Sequence, residues 1–420
     1  MSERKRLKSW DQESMIKAVT AIRKREMGFN KAEKLFNVPK TSLRRYVSMT
    51  NKTPEEAVLT KSGRKPVFTK SMEIELIQYL NEMESKYFGA TKKDVRALAF
   101  QLAKRKNLTN NFSELRGSAG KDWLQCFLQR QRNKITIRSL SETALSKMKG
   151  LCKSYVNSFF VNLEKEILTN GFIPSRIYNV NGTGLMLVQK KSPKIVTVKG
   201  KRQVNALTPE ESTFFVMVIA CANAVGTYVP PMMIFPRKIS SDLSCDGIPP
   251  GTVFSCIPHG WIDSDVFCEW FDHFVYCVKP TETDPVLLIL EGHNNYAKSI
   301  DLFDKARANH VRLISIPPHS SNKMQPLEVK FMGVLRDNYI REVRFHCHNT
   351  GEAVKPDHIP QLVGVALTRT QTSEHAINGF KATGIFPINK GIFTEIDYAP
   401  DDEEEVFEVD ALLEQDMSVG

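Results

Sequence analysis

Val286-Leu287-Leu288-Ile289-Leu290 is a continuous apolar run without a polar position. Alternation would mark a half-wet strand; an unbroken run marks one buried on both faces, as between layers of helices. Val311 to Ile316 is a second strand of this kind. Upstream, Phe214 to Cys221 and Tyr228 to Phe235 read as a hairpin through Asn223-Ala224-Val225-Gly226. Ile177 to Val180 and Ile195 to Val198 are shorter β-like runs, and Asp265 to Tyr276 and Phe331 to Arg344 read as helices. Strands that first pair antiparallel and then alternate with helices predict a mixed α/β sheet.

The front of the chain reads differently. Ile16, Val19 and Ile22 recur at three-residue spacing, predicting a helix over 11–24 that Gly28 ends. A second short helix is expected from Asn30 as N-cap, with Ala32, Leu35 and Phe36 on one face. After the turn Asn37-Val38-Pro39, a third carries Leu43, Tyr46 and Val47 inward. Lys40, Thr41, Ser42, Arg44 and Arg45 are left facing out. Two short helices, a tight turn and a basic leading face make a helix-turn-helix, whose last helix enters the major groove. Residues 51–69 read as a basic linker; its Gly63-Arg64-Lys65-Pro66 is a thin cationic arm suited to a minor groove, or a plain solvated linker. A second block of three helices is expected over 70–140: Ile74, Ile77 and Leu80; then Val95, Leu98, Ala99 and Leu102; then Trp123 and Phe127, followed by Arg130 and Arg132.

The chain has 420 residues, enough for two to three domains at roughly 150 each. Its composition, 41% hydrophobic and 25% charged, excludes a collagen-like, disulfide-stapled or mostly disordered chain. The longest apolar run, Phe214 to Ala222, falls short of the about 20 residues a membrane span needs, and no leader is read at the N-terminus. Eight cysteines without a CxxC pair argue for reduced thiols. The charge is uneven. Residues 1–140 carry a net +17 and the remainder −6, ending in Asp401-Asp402-Glu403-Glu404-Glu405. A basic front on a near-neutral body points to a polyanion partner. Residues 391–420 are expected to be an acidic, disordered tail.

Several short blocks, in this order, resemble the pogo/Tigger group of DNA transposases and the host proteins descended from them, including centromere-protein-B and Jerky-type proteins. Phe36 to Leu43 is similar to a pipsqueak-type helix-turn-helix. Gly63 to Pro66, Gly120-Lys121-Asp122-Trp123 and Phe127 to Arg130 are similar to the centromere-protein-B type. Arg138-Ser139-Leu140 and Ala144-Leu145-Ser146 resemble the entry to the transposase core. Tyr178 to Leu185, Leu288 to His293, Gln325 to Glu328 and Asn378 to Pro387 resemble blocks of that core. The resemblance implies tandem all-α helix-turn-helix DNA-binding modules (1–50 and 70–140) followed by an α/β RNase H-like mixed-sheet domain over 150–390.

That fold implies a nuclease in which three acids hold two divalent metals that stabilise the attacking water and the leaving oxygen. The matching positions are Asn181, Glu291 and Glu328. A carboxamide offers one oxygen, no charge and an unwanted N–H pair, so Asn181 breaks the pattern at its centre. Glu291 is one methylene longer than the family's Asp. Glu328 is the mildest change, and Pro326 places it in a helical first turn. The expectation is a transposase-derived, sequence-preferring DNA-binding protein without nuclease activity and without a cofactor. An active Mg²⁺ or Mn²⁺ endonuclease using Glu291 and Glu328 stays open as an alternative, as does a protein-interaction scaffold. The expected DNA contacts are Lys40, Thr41, Ser42, Arg44, Arg45, Arg64, Lys65, Arg130 and Arg132. Double-stranded DNA is the expected partner and the nucleus the expected location, with Arg4-Lys5-Arg6 as import signal or phosphate contact. A homodimer is one option; a membrane or small-molecule substrate is not expected. His346-Cys347-His348 lacks a partner pair at finger spacing, and Asp263 and Asp265 read as helix caps.

Overall fold

The computed structural model describes residues 10–60, 66–86, 88–136, 151–186, 215–236, 247–258, 260–292 and 295–398. The expectations for Arg4 to Arg6, Gly63 to Lys65, Arg138 to Ser146, the strand Ile195 to Val198, and His293 lie outside the described residues. So does the acidic run after residue 398. The chain divides into two compact units, 1–67 and 68–420.

The first unit is a four-helix cluster: α1 (Gln12–Arg23), α2 (Phe29–Phe36), α3 (Lys40–Val47) and α4 (Pro54–Leu59). Asp11 caps α1 by accepting from the Ser14 N–H at 2.8 Å. Gly28, not Asn30, is the N-cap of α2, and Asn37 ends it in the left-handed region at φ +49°. Met15, Val19, Ala32, Leu43 and Tyr46 form the core. The expected face of α2 is corrected at Leu35, which is 62% exposed: Ala32 and Phe36, four apart, already fill the inward stripe. The expected linker is also corrected. Residues 54–59 form a helix with a Thr53–Glu56 capping box, and Ala57 and Val58 are buried in the core. Arg23 closes the cluster by donating to the carbonyls of Tyr46, in the last turn of α3, and of Met49 and Lys52 beyond it, at 2.9, 2.7 and 2.5 Å.

The second unit opens with α5 (Lys70–Ser85), α6 (Lys92–Arg105) and α7 (Lys121–Arg130). Val95, Leu98, Ala99 and Leu102 are buried as expected, but Ile74 is 42% exposed. Trp123 and Phe127 stack at 5.2 Å, and Phe68 and Phe112 meet Trp123 edge-on.

Next come α8 (Lys153–Asn170) and a six-stranded sheet: β1 (Ile177–Met186), β2 (Phe215–Asn223), β3 (Tyr228–Phe235), β4 (Val253–Cys256), β5 (Val286–Leu290) and β6 (Val311–Ser315). The spatial order is β4-β3-β2-β1-β5-β6. β1, β2 and β3 pair antiparallel, while β1–β5, β5–β6 and β3–β4 pair parallel. The expected hairpin and both continuous strands are present, and the arrangement is an RNase H-like mixed sheet. Its faces are covered by α8, α9 (Ser264–Val278), α10 (Ile300–Ala308), α11 (Gly333–Thr350), α12 (Ile359–Thr370) and α13 (Ser373–Ala382). Val216, Val218 and Ala220 of β2 pack with Leu335 and Val363. Leu287 and Ile289 of β5 pack with Phe159 and Phe160 of α8.

The expected tail is corrected over residues 391–398. Ile392, Phe393 and Tyr398 pack against the α8 core, and Asp397 accepts from Lys323 Nζ at 3.0 Å.

Candidate functional site

Asn181 lies on β1, Glu291 just after β5, and Glu328 in the turn leading into α11. β1 and β5 are parallel neighbours, with Asn179 level with Ile289. Carried two residues further, that register sets Asn181 beside Glu291. The third segment is pinned to β1 by two bonds. Gln325 Nε2 donates to the Val180 carbonyl at 3.0 Å, and the Leu327 N–H donates to Asn179 Oδ1 at 3.1 Å. Glu328 to Met332 form a π-turn, a local widening often found at functional positions. Gly379 of α13 touches the same segment: a Cβ there would stand 2.5 Å from the Pro326 carbonyl oxygen.

The polar bonds decide what this place does. Asn181 Nδ2 donates to Glu328 Oε2 at 2.8 Å, and Asn181 Oδ1 accepts from the Gly182 N–H at 2.8 Å. Arg336 Nη2 donates to Glu328 Oε1 at 3.2 Å, and its Nε donates to Thr183 Oγ1 at 3.0 Å. Both Glu328 oxygens therefore hold protein donors. Asn181 turns its N–H, not an oxygen, toward Glu328. Two Mg²⁺ ions want several charged oxygens in near-octahedral geometry. This donor set has two carboxylates, one arginine and one spent amide oxygen, and it does not fit such a pair. Among the described residues, no group of three or more His, Cys, Asp and Glu stands where it would hold a metal.

Beside these residues is a cavity of about 520 Å³, lined by Asn181 and Glu291 from the sheet and by Trp261, Asp263 and Phe267 at the start of α9. Asp263 caps α9 as expected: its Oδ1 accepts from the N–H groups of Asp265 and Val266 at 3.1 and 3.0 Å. Its proximity to Glu291 was not legible, nor was the role of Arg336. Arg336 stands eight residues after Glu328, two turns along one helix, which is a usable signal.

The expected DNA-contacting residues divide. Lys40, Thr41 and Ser42 form the first turn of α3; Thr41, Arg44 and Arg45 are exposed, while Lys40 and Ser42 are half-buried. Lys40 Nζ donates to Asn30 Oδ1. The Arg44 guanidinium lies 5.9 Å from the Phe29 ring centroid. Arg45 lies 4.7 Å over Tyr46 and donates to its hydroxyl at 2.7 Å. Arg130 does not present a free guanidinium as expected: its Nε and Nη2 both donate to Glu73 Oε1, at 2.9 and 2.6 Å, and Glu73 is 3% exposed. Removing the cation from a buried carboxylate is costly, so this pairing competes with an external phosphate for Arg130. Arg132 is exposed. Arg64 and Lys65 lie outside the described residues.

Comparison with known proteins places two domains on the chain. Residues 11–53 match the helix-turn-helix, Psq domain, and residues 214–379 match the DDE superfamily endonuclease. The chain thus carries a DNA-binding helix-turn-helix of pipsqueak type and, further on, a DDE-type nuclease domain. A curated relative, the "MFS-type transporter clz9" of Cochliobolus lunatus, is 26% identical over 240 residues. Those residues are 55% of this chain but only 25% of that protein, so the chain spans about a quarter of its relative. Among the described residues, no helix is long and apolar enough to cross a membrane. Solved structures that resemble the chain include the Mos1 mariner paired end complex with Mn, at 11% identity and TM-score 0.36, covering 88% of this chain and 94% of that one. The Mos1 strand transfer complex gives 10% identity and TM-score 0.31, covering 88% and 97%.

Proposed function

We propose that this chain is a transposase-derived, sequence-preferring DNA-binding protein of the pogo/Tigger kind that acts in the nucleus, with a nuclease domain that no longer cuts. The observation that carries the second half is the Asn181 Nδ2 to Glu328 Oε2 bond. An amide proton stands where a bridging carboxylate oxygen is required, and Arg336 holds the other Glu328 oxygen. The first half is supported by the exposed basic front of α3 and by the match over residues 11–53. Helix α3 would lie in the major groove, with Arg44 and Arg45 available to guanine edges and the hydroxyls of Thr41 and Ser42 to bases or phosphates. The helices of 68–136 would add phosphate contacts through Arg132.

The test is a binding selection from random duplex DNA with the full chain, followed by a nicking assay on the selected site in Mg²⁺ and in Mn²⁺. We expect an enriched motif, a log K versus log salt slope near −5 for about six neutralised phosphates, and no nicking. Replacing Arg44 and Arg45 together by Ala should weaken binding and relax the motif. Metal-dependent cutting by the native chain overturns the inactive-nuclease reading. An unchanged motif and affinity in the double variant overturns the assignment of α3.

A further inference from the structure

We propose that Thr394 is a phosphorylation site for an acidophilic protein kinase, with ATP as phosphoryl donor, and that the phosphate releases the strap that ends the sheet domain. The inference is independent of whether the nuclease domain cuts. The strap, Lys390 to Tyr398, lies against the α8 core and is held by three ion pairs. Lys390 pairs with Glu164 at 2.5 Å, Lys153 with Glu395 at 2.6 Å and Lys323 with Asp397 at 3.0 Å. Asp397 is the hub. Its Oδ2 accepts from the Thr394 N–H at 2.9 Å and from the Thr394 hydroxyl at 3.1 Å. Its Oδ1 accepts from Lys323 Nζ, and its carbonyl accepts from the Leu151 N–H at 2.9 Å. Leu151 leads into α8, and Lys323 stands two residues before Gln325, which fastens the Glu328 segment to β1.

A kinase needs a reachable hydroxyl on extended backbone and a charge pattern around it. Thr394 is exposed, its backbone is extended at φ −97° and ψ 169°, and Ile396 beyond it is 94% exposed. The turn that follows is three residues long, so few bonds oppose its opening. Glu395 and Asp397 stand one and three residues after the hydroxyl, Asp401 to Glu405 follow, and the chain has no Lys or Arg after Lys390. Thr53 and Thr91 also have an acid three residues on, in the same capping geometry. Lys52 precedes the first, however, and Lys92 and Lys93 follow the second, and these cations repel the basic groove of an acidophilic kinase. In the transfer, Thr394 Oγ1 attacks the γ-phosphorus of ATP. The new O–P bond forms as the bond from that phosphorus to the β–γ bridging oxygen breaks; the hydroxyl proton passes to the kinase's base and ADP leaves. The product adds about −1.5 to −2 charges at pH 7. It removes the hydroxyl donor and sets a phosphate beside the Asp397 carboxylate, where Glu395 and Asp397 were balanced by Lys153 and Lys323. A phosphate next to acids disrupts by like-charge repulsion, so Asp397 gives up its hold on Leu151.

The experiment treats the full chain with ATP, Mg²⁺ and an acidophilic casein kinase. Fragmentation mass spectrometry assigns the phosphorylated residues, and amide hydrogen exchange in EDTA is compared before and after. We expect phosphate on Thr394 in the native chain, and on the hydroxyl that Thr394→Ser retains. Asp397→Asn, which keeps an acceptor and drops the charge, should slow the modification several-fold. Phosphate on Thr394 should accelerate exchange of the Leu151 amide at least ~10-fold and leave the β5 amides unchanged. Kinase treatment of Thr394→Val should leave Leu151 exchange where it was, which separates this site from any other phosphate on the chain. Should that variant fail to fold, the native chain and the Ser variant still decide. A native chain without phosphate at Thr394 overturns the site. Modification at an undiminished rate in Asp397→Asn overturns recognition through the acids. Phosphate on Thr394 with unchanged Leu151 exchange overturns the release of the strap.

Discussion

Replacing Asn181 by Asp tests whether the contact between Asn181 and Glu328 is a structural bond. The substitution turns a donor 2.8 Å from Glu328 Oε2 into a second carboxylate oxygen. Two unit charges at that separation repel by about 6 kcal/mol at an effective dielectric of 20. The Glu328 side chain is 27% exposed and Arg336 already pairs with it, so solvent and counter-charge screen most of that to roughly 1–2 kcal/mol. The lost charge-assisted hydrogen bond adds about 1.5–3 kcal/mol. The expected cost is therefore about 3 kcal/mol in EDTA at pH 8, or roughly 6 °C in the melting temperature of this unit. The pH dependence has a definite sign. Like charges push the titration of the new pair above the ordinary carboxylate range, so the penalty is full above it and fades as pH falls through it. Protonated Asp can donate to Glu328 as Asn did. The variant should thus melt closer to the native chain at pH 4 than at pH 8. Millimolar Mn²⁺ should raise the melting temperature of the variant and leave that of the native chain unchanged. A variant that melts with the native chain in EDTA at pH 8 refutes the bond as a structural element.

Three further outcomes are expected. Lys298→Met should cost about 3–5 kcal/mol in urea unfolding, because Lys298 and Asp94 are a buried pair at 2.9 Å with side chains only 4% and 7% exposed. Adding Asp94→Asn, which keeps the bonds from Thr91, should recover much of that loss. Arg130→Ala should destabilise the chain by about 1.5–3 kcal/mol, because buried Glu73 loses its cation and keeps only the Gln131 Nε2 bond at 2.6 Å, whereas Arg132→Ala should leave stability alone and reduce the salt slope of DNA binding by about 1. Burial, and then the neighbouring His346, hold His358 below the ordinary imidazole range. Its contribution to stability is full above the unfolded value of about 6.5 and is lost as pH falls below it. His346→Ala should move the His358 titration upward by NMR; an unmoved titration would exclude the His346 contribution.

Much of this was readable because it is local. The apolar run at Val286 and the hairpin at Asn223 to Gly226 announce strands through side-chain pattern and turn chemistry within a few residues. Asn181, Glu291 and Glu328 were each legible from short blocks around them. What sequence could not supply was pairing over distance. Nothing near Arg130 says that its guanidinium belongs to Glu73, 57 residues earlier. Leu35 looked inward because it is apolar, yet an eight-residue helix has one inward stripe and Ala32 and Phe36 hold it. Asp263 read as a cap and is one; that the residue also lines the space beside Glu291 follows only from how α9 lies against the sheet.

The helices of 68–136 belong to the same compact unit as the sheet, and their attachment bears on Glu291. They are locked to the sheet domain by the Lys298–Asp94 pair, by Tyr79 and Arg105 on Asp304, and by Arg307 on Glu82. The connection between α5 and α6 reaches the Glu291 loop directly. The Ser315 N–H donates to the Lys86 carbonyl at 3.0 Å, and the Gly292 N–H donates to Ser315 Oγ at 2.9 Å. A Cβ on Gly292 would stand 2.5 Å from Ser315 Oγ and 2.7 Å from Phe88, so the position next to Glu291 has no room for a side chain. Phe88 is fully buried and meets Phe303 edge-on at 5.0 Å. Phe88→Ala should therefore do two things. It should cost about 3–5 kcal/mol through the cavity it leaves, and it should loosen the loop that carries Glu291. Hydrogen exchange at Gly292 should accelerate beyond what the loss of global stability explains, while the amides of β2 and β3 should follow that loss only. Equal acceleration in all three places would mean that Phe88 is ordinary core and that these helices do not govern the Glu291 loop.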